Sequence, residues 1–255
     1  MFKPVEGSLS AKFNSSNSSD FLLLYETILD ESILEGESNI PSRTFAPSQI
    51  RCKRVSWFRL RGTKPEIETE VDRGTNFTAV VGTACHQQIQ TLLANKLGVD
   101  WIDPEEYMKT LSGYTYSCTK NGLETQIEIT DPVPIKFAPD GIFRWKDKIW
   151  LLEIKTSEYS SFEKLSGVKP KHIDQIKCYA TLLHIPNVLV LYQDRMYGDL
   201  KCYEVKVTEP DMQDIWDMFA EVQDCVVKNI APEKPIDRRY CNSSYCRYCK
   251  VCKEW

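Results

Sequence analysis

The run APDGIFRWKDKIWLLEIKT, residues 138–156, consists of two apolar, β-prone segments folded about the tight polar turn KDK, a hairpin signature. It constrains the chain because it carries Asp140, Glu153 and Lys155 inside an apolar frame. A buried charge is costly unless it is paired or coordinates a metal. Side chains two apart on a strand share a face. Glu153 and Lys155 therefore point one way, and Leu152 and Ile154 enter the opposite layer. The hairpin brings Asp140 back beside them, so two carboxylates and one ammonium meet on one sheet face.

Around this hairpin the patterning predicts a mixed sheet covered by helices, an α/β (α+β) chain. DFLLLYETILDESILEG has apolar residues at Leu23, Leu24, Ile28 and Leu34 between Asp20 and Gly36, and predicts a short amphipathic docking helix capped at Asp20. The Ser/Asn-rich Ser8–Asp20 stretch before it reads as a flexible tail, and residues 1–43 as a unit apart from a main domain over 44–255. A helix is expected from Pro47 to Gly62, a Glu/Thr-rich loop over 63–78, and a helix from Thr83 to Gly98 with His86, Ile89, Leu93 and Leu97 on one face. TQIEI, PIKFAPDGIFRW, KIWLLEIKT, NVLVLYQ and LKCYEVKV read as strands. Lys171–His184 and a long segment from Pro210 read as helices.

Hard divalent cations take oxygen ligands of the kind Asp140 and Glu153 offer, and a lysine beside a metal-bound water can orient it or stabilise developing charge. An arbitrary D…E-x-K spacing is ordinarily a surface ion pair. Here the apolar frame and Pro139, which makes Pro-Asp, set it apart. The spelling P-D-x(12)-E-I-K resembles the PD-(D/E)XK nuclease superfamily, and the flanking helices resemble its RecB-like exonuclease group, over most of residues 44–255. The resemblance implies a restriction-endonuclease-like core that hydrolyses phosphodiester bonds with Mg²⁺ or Mn²⁺. It implies metal ligands at His86 (in GTACHQQIQ), Asp140, Glu153 and the Ile154 carbonyl, with Lys155 positioning the water. The group's Q-x-x-x-Y pair matches Gln175 and Tyr179 in DQIKCYA, which would contact the strand or brace Lys155.

Of ten cysteines, Cys85, Cys118, Cys178, Cys202 and Cys225 stand singly among apolar neighbours and read as small buried hydrophobes. Cys241, Cys246, Cys249 and Cys252, spaced x4, x2, x2 in YCNSSYCRYCKVCKEW, read as metal ligands. Two arrangements stay open. One is a zinc knuckle within the tail. The other is a [4Fe–4S] cluster joining Cys52 to three tail thiols, the one-plus-three staple of many RecB-like nucleases, including AddB-type and CRISPR-associated relatives. The tail departs from their usual C-x2-C-x5-C, so the three are Cys246, Cys249 and Cys252, the preferred set, or Cys241, Cys246 and Cys249. Either way the metal would staple the N- and C-terminal parts.

The segment around Cys52 is locally basic: Arg51, Lys53, Arg54, Arg59 and Arg61 interleave with Trp57 and Phe58. It reads equally as a solvated face with a core stripe or as a surface for single-stranded nucleic acid. The net charge of −4 gives no global sign of nucleic-acid binding. No apolar run spans a bilayer and no signal peptide is apparent, and free thiols suit a reducing cytoplasm, bacterial or phage-infected. The resemblance thus points to a DNA exonuclease of recombination, repair or phage replication, acting on a DNA end, with a helicase or other recombination or replication partner and no membrane. A structure-selective endonuclease or nickase on the same residues, and a non-catalytic nucleic-acid-binding module with a zinc-bound tail, are the alternatives.

Overall fold

Asp131 to Glu153 is where the chain passes between two sheets, and that passage sets out the site. A computed structural model describes residues 18–36, 41–66, 72–235, 241–242 and 246–254. The central sheet has five strands, β1 (Trp101–Ile102), β5 (Gly141–Trp145), β6 (Lys148–Ser157), β7 (Asn187–Asp194) and β8 (Leu200–Lys206), in the order β1-β5-β6-β7-β8. Only β6 and β7 pair in parallel; the other neighbours are antiparallel. A smaller sheet holds β2 (Thr115–Asn121), β3 (Glu124–Asp131) and β4 (Ile135–Phe137), all antiparallel. Helices flank the sheets: α1 (Ser18–Gly36), α2 (Lys53–Leu60), α3 (Arg73–Leu97), α4 (Pro104–Met108), α5 (Tyr159–Glu163), α6 (Pro170–Leu183), α7 (Glu209–Lys228) and α8 (Cys249–Glu254). This is a mixed α+β fold with a helix-flanked central mixed sheet, consistent with a restriction-endonuclease-like architecture.

The β5–β6 hairpin closes through Lys146 and Asp147, both left-handed (φ 48° and 59°), the two-residue turn whose twist matches the strands. Alternation along β6 then divides the core. Leu152 and Ile154 join Ile89, Phe143 and Trp150 beneath α3, and each such full burial contributes about 1.5–3 kcal/mol. Leu151 joins the larger cluster with Val188, Val190 and Tyr192 of β7 and Ile176, Tyr179 and Leu183 of α6. The parallel pairing needs a crossover, which α5 and α6 supply. Pro170 opens α6 and His184, in a left-handed conformation, closes it. A reciprocal Thr208–Asp211 cap opens α7, and Lys177 of α6 reaches Asp211 at 2.6 Å, joining the two helices.

Several expectations are revised. PIKFAPDGIFRW is not one strand: Ile135–Phe137 pairs with β3 and Gly141–Trp145 with β6, and Asp140 lies in the break. The Pro47–Gly62 helix is a 3₁₀ turn at Pro47–Gln49 followed, after Cys52, by α2. The loop over 63–78 gives way at Arg73 to α3, started by Asp72, whose carboxylate accepts the Thr75 N–H. The tail ends earlier than expected because Ser18–Asp20 already belong to α1; its residues 8–17 lie outside the described residues. On α1, Leu23 and Ile28 are about half exposed, at 54% and 47%. The helix is tied to α3 by Arg73, which pairs with Glu26 and Asp30.

The basic stretch also resolves. Trp57 and Phe58 are 0% and 1% exposed, so neither can stack on a base. The Trp57 indole donates to the Cys225 carbonyl. Arg54 is buried and donates to the Pro232 carbonyl, Arg59 to the Thr44 carbonyl, and Lys53 pairs with Glu221. These charges serve the fold, so a stacking surface for nucleic acid is withdrawn. Among the lone cysteines only Cys178 is fully buried, and Cys202 is exposed. No helix among the described residues is long and apolar enough to cross a membrane.

Candidate active site

β5 starts at Gly141 opposite Leu152, so the β5 side of β6 has no strand partner beyond that point. Asp140 fills the gap with its side chain: Oδ2 accepts the Ile154 N–H at 2.6 Å. Its Oδ1 stands 3.1 Å from His86 Nδ1 on α3, and its backbone carbonyl accepts from Gln90 Nε2 at 2.9 Å. Gln90, one turn after His86, was not foreseen; the i, i+4 spacing on one helix face was its only signal. Together His86, Gln90 and Ile154 hold Asp140 on three sides. Burial opposes protonation of His86, but the hydrogen bond and charge of Asp140 outweigh it and raise the imidazole pKa.

Glu153 is 1% exposed, and neither carboxylate oxygen has a directed hydrogen-bond partner. Lys155 forms an ion pair with its Oε1. Proximity and direction differ here, and direction governs: the ammonium compensates charge without satisfying the oxygens as acceptors. Burial, then the negative charge of Asp140, push the Glu153 carboxyl up to about 7 against the opposing pull of Lys155. Lys155 is held from α6: Nζ donates to Gln175 Oε1 at 3.1 Å, and Gln175 Nε2 donates to Tyr179 Oη at 3.2 Å. Burial raises the Tyr179 phenol well above its ordinary value, so it stays neutral. The structure thus gathers His86, Asp140, Glu153, Lys155, Gln175 and Tyr179 into one cluster drawn from α3, the break before β5, β6 and α6. Ile154 takes part through its N–H, its side chain lying in the opposite layer.

Cys52 sits at the N-terminus of α2, and with Cys241, Cys246, Cys249 and Cys252 it lines one cavity of about 190 Å³. All five are free thiols. Burial raises the Cys52 thiol pKa, the Val55 and Arg54 amides of the α2 start oppose this, and Cys241 and Cys252 add to it. Burial and the neighbouring Cys52, Cys249 and Cys252 push Cys246 up to about 11. The tail is stitched in beside them: the Glu66 N–H donates to the Arg247 carbonyl, Arg247 Nε to the Glu66 carbonyl, and the Lys250 N–H to the Glu66 carboxylate. Among the described residues, no three His, Cys, Asp or Glu side chains stand so as to grip one metal ion. The acids and the thiols are gathered but not closed.

No family model and no curated protein matches the chain. It is similar to several solved structures. One is SSO0001, at 16% identity over 92% of this chain and 98% of that one, with a TM-score of 0.49. Another is the alkaline exonuclease LHK-Exo from Laribacter hongkongensis, at 12% identity over 80% and 93%, with a TM-score of 0.40. A third is Candida albicans Rai1 in complex with pU5–Mn²⁺, at 12% identity over 87% and 72%, with a TM-score of 0.26. Likeness at this level carries no function across.

Proposed function

We propose that the chain is a divalent-metal-dependent DNA exonuclease that hydrolyses phosphodiester bonds. The observation that carries this reading is Glu153, a buried carboxylate whose two oxygens lack directed partners, beside Asp140 and Lys155. Buried acceptors without directed hydrogen bonds cost free energy even beside one ammonium, and a hard cation offsets that cost. The donor set fits Mg²⁺ or Mn²⁺: Asp140 and Glu153, with His86 and the Ile154 carbonyl as further ligands. Such an ion, when bound, supplies Lewis acidity and a water of lowered pKa.

The protein's own groups then have distinct tasks. His86 and Gln90 fix Asp140, so that its carboxylate needs little reorganisation. Gln175, steadied by Tyr179, aims Lys155. The Lys155 ammonium orients the attacking water and stabilises negative charge as phosphorus becomes five-coordinate. One P–O bond forms to the water, which gives up a proton to solvent, the other P–O bond breaks, and the departing oxygen takes a proton from solvent.

The thiol cavity is proposed to hold a [4Fe–4S] cluster through Cys52, Cys246, Cys249 and Cys252, with zinc as the alternative. What supports it is that residue 52 and the tail bring five free thiols to one cavity, where a bound cationic centre would favour the thiolate forms that burial disfavours. Its task is structural, holding the tail against α2. The proposed setting is DNA recombination, repair or phage replication, alongside a separate helicase or replication partner.

The decisive test is digestion of end-labelled single- and double-stranded DNA with Mg²⁺ or Mn²⁺. The parent should shorten labelled ends and Lys155→Ala should not. Equal cutting by both would overturn the site, and internal nicks on circular DNA would favour an endonuclease.

A further inference from the structure

Beyond these groups lies a histidine that the mechanism so far leaves idle. His172 is on α6, one turn before Gln175, and its Nδ1 stands 2.7 Å from the hydroxyl of Tyr192 on β7. The rings stack at 5.7 Å with 28° between planes. Tyr192 pairs laterally with Lys155 across the parallel β6–β7 ladder, so His172 stands over the strand next to Lys155, on the same sheet face. The proton can be placed. The Tyr192 hydroxyl already accepts the Lys169 N–H at 3.1 Å, which leaves its own proton to donate to Nδ1. Nδ1 is thereby an acceptor and the ring carries its proton on Nε2. Among the described residues Nε2 has no protein partner.

Lysines dominate the charge about this ring. Burial first, then Lys155, Lys171 and Lys169, push the imidazole pKa down to about 3. At neutral pH the ring is an uncharged donor beside Lys169 and Lys171, with Lys155 already paired to Glu153, and a phosphate oxygen suits that donor. Lys169 also lines an open recess of about 370 Å³, together with Lys164, Leu165, Val168 and Pro170.

We propose that His172 is a substrate-contacting residue: its Nε2–H donates to a non-bridging oxygen of a backbone phosphodiester next to the scissile one, with Lys169 and Lys171 offsetting its charge. This rests on the nuclease reading above. The Tyr192 hydroxyl is the positioning group that keeps the Nε2–H tautomer. Because the ring does not gain a second proton in the working range, it holds the strand and transfers no proton.

The test compares the parent with His172→Ala, His172→Gln and Tyr192→Phe on oligonucleotides carrying one uncharged methylphosphonate at successive positions, with far-UV spectra confirming each fold. His172→Ala should raise KM about 10-fold, the worth of one hydrogen bond to a charged group, and change kcat less than KM. Gln, whose amide can stand in for the Nε2–H, should recover most of that loss, and Tyr192→Phe should show a smaller one. At one linkage beside the scissile bond the methylphosphonate should cost the parent about 10-fold and cost His172→Ala nothing further. Unchanged kcat/KM for His172→Ala in a cutting parent, or equal methylphosphonate losses in both proteins at every linkage, would overturn the assignment of His172 alone. A parent that neither cuts nor binds an oligonucleotide would overturn the nuclease reading and this inference with it.

Discussion

Asp140 Oδ2 takes the Ile154 N–H at 2.6 Å, a position that a neighbouring strand would otherwise fill. A carboxylate thus completes the edge of β6 at the point where β5 has not yet begun. Substitution of Asp140 therefore has a backbone consequence as well as a chemical one. Asp140→Ala should abolish metal-dependent cleavage and also lower stability by about 1–2 kcal/mol, the cost of an unmet buried N–H. Asp140→Asn keeps an acceptor for Ile154 and should lose cleavage with a smaller loss of stability. Cleavage assays paired with urea titrations would separate the two effects.

Lys155→Ala should lower the cleavage rate by roughly 10²–10³, the usual scale for removing one electrostatic stabiliser. Gln175→Ala, which only loosens the aim of Lys155, should cost about 10-fold, a lost charged hydrogen bond. Single-turnover rates at saturating Mg²⁺ would rank them. A Gln175→Ala defect as deep as that of Lys155→Ala would mean that Gln175 itself meets the substrate.

Glu153→Gln should stabilise the metal-free protein while removing cleavage, since the parent carboxylate is buried without directed hydrogen bonds. The sign follows from linkage. Folding raises this carboxyl from 4.5 to about 7, so the native state binds the extra proton between those values and stability falls as pH rises through them. The gain over the parent should be absent near pH 4 and full above pH 7, on the order of 1–3 kcal/mol. Thermal melts in EDTA across that range would measure it, and a pH-independent difference would contradict it.

Much of this site was legible in the sequence because its residues obey simple periods. The i, i+2 step from Glu153 to Lys155 and the i, i+4 step from Gln175 to Tyr179 fix faces without tertiary knowledge. The break at Asp140 was not legible, since PIKFAPDGIFRW is β-prone on both sides and two sheets share it. The start of α3 was hidden for another reason: RGTNFTAVVGT lacks an apolar stripe, and most of its residues remain exposed in the helix. On α2 the sequence shows that basic and aromatic residues alternate but not which set faces inward. Docking of α7 against it decides that, drawing Trp57 to the Cys225 carbonyl.

Cys52→Ser should release the thiol-bound metal, and melting should fall by several degrees, whereas Cys202→Ser, at an exposed thiol outside the cavity, should change neither. Metal analysis of anaerobically purified protein gives the readout, and a [4Fe–4S] centre would show broad absorbance near ~400 nm. Unaltered zinc content in Cys52→Ser would assign the metal to the tail alone.

Gly141→Ala tests the entry into β5. A Cβ there would collide with the indole of Trp101, whose Cη2 lies nearest the glycine. Displacing that ring should cost about 1–3 kcal/mol and, by moving the first residue of β5, reduce cleavage. Restored stability in the Gly141→Ala, Trp101→Leu double variant would assign the loss to the clash.

Glu66 and Arg247 exchange one backbone and one side-chain hydrogen bond, so α8 is moored to a segment that precedes α3 in the chain. Loss of the Arg247 side chain would accordingly be felt at Glu66, far away in the sequence, as well as in α8.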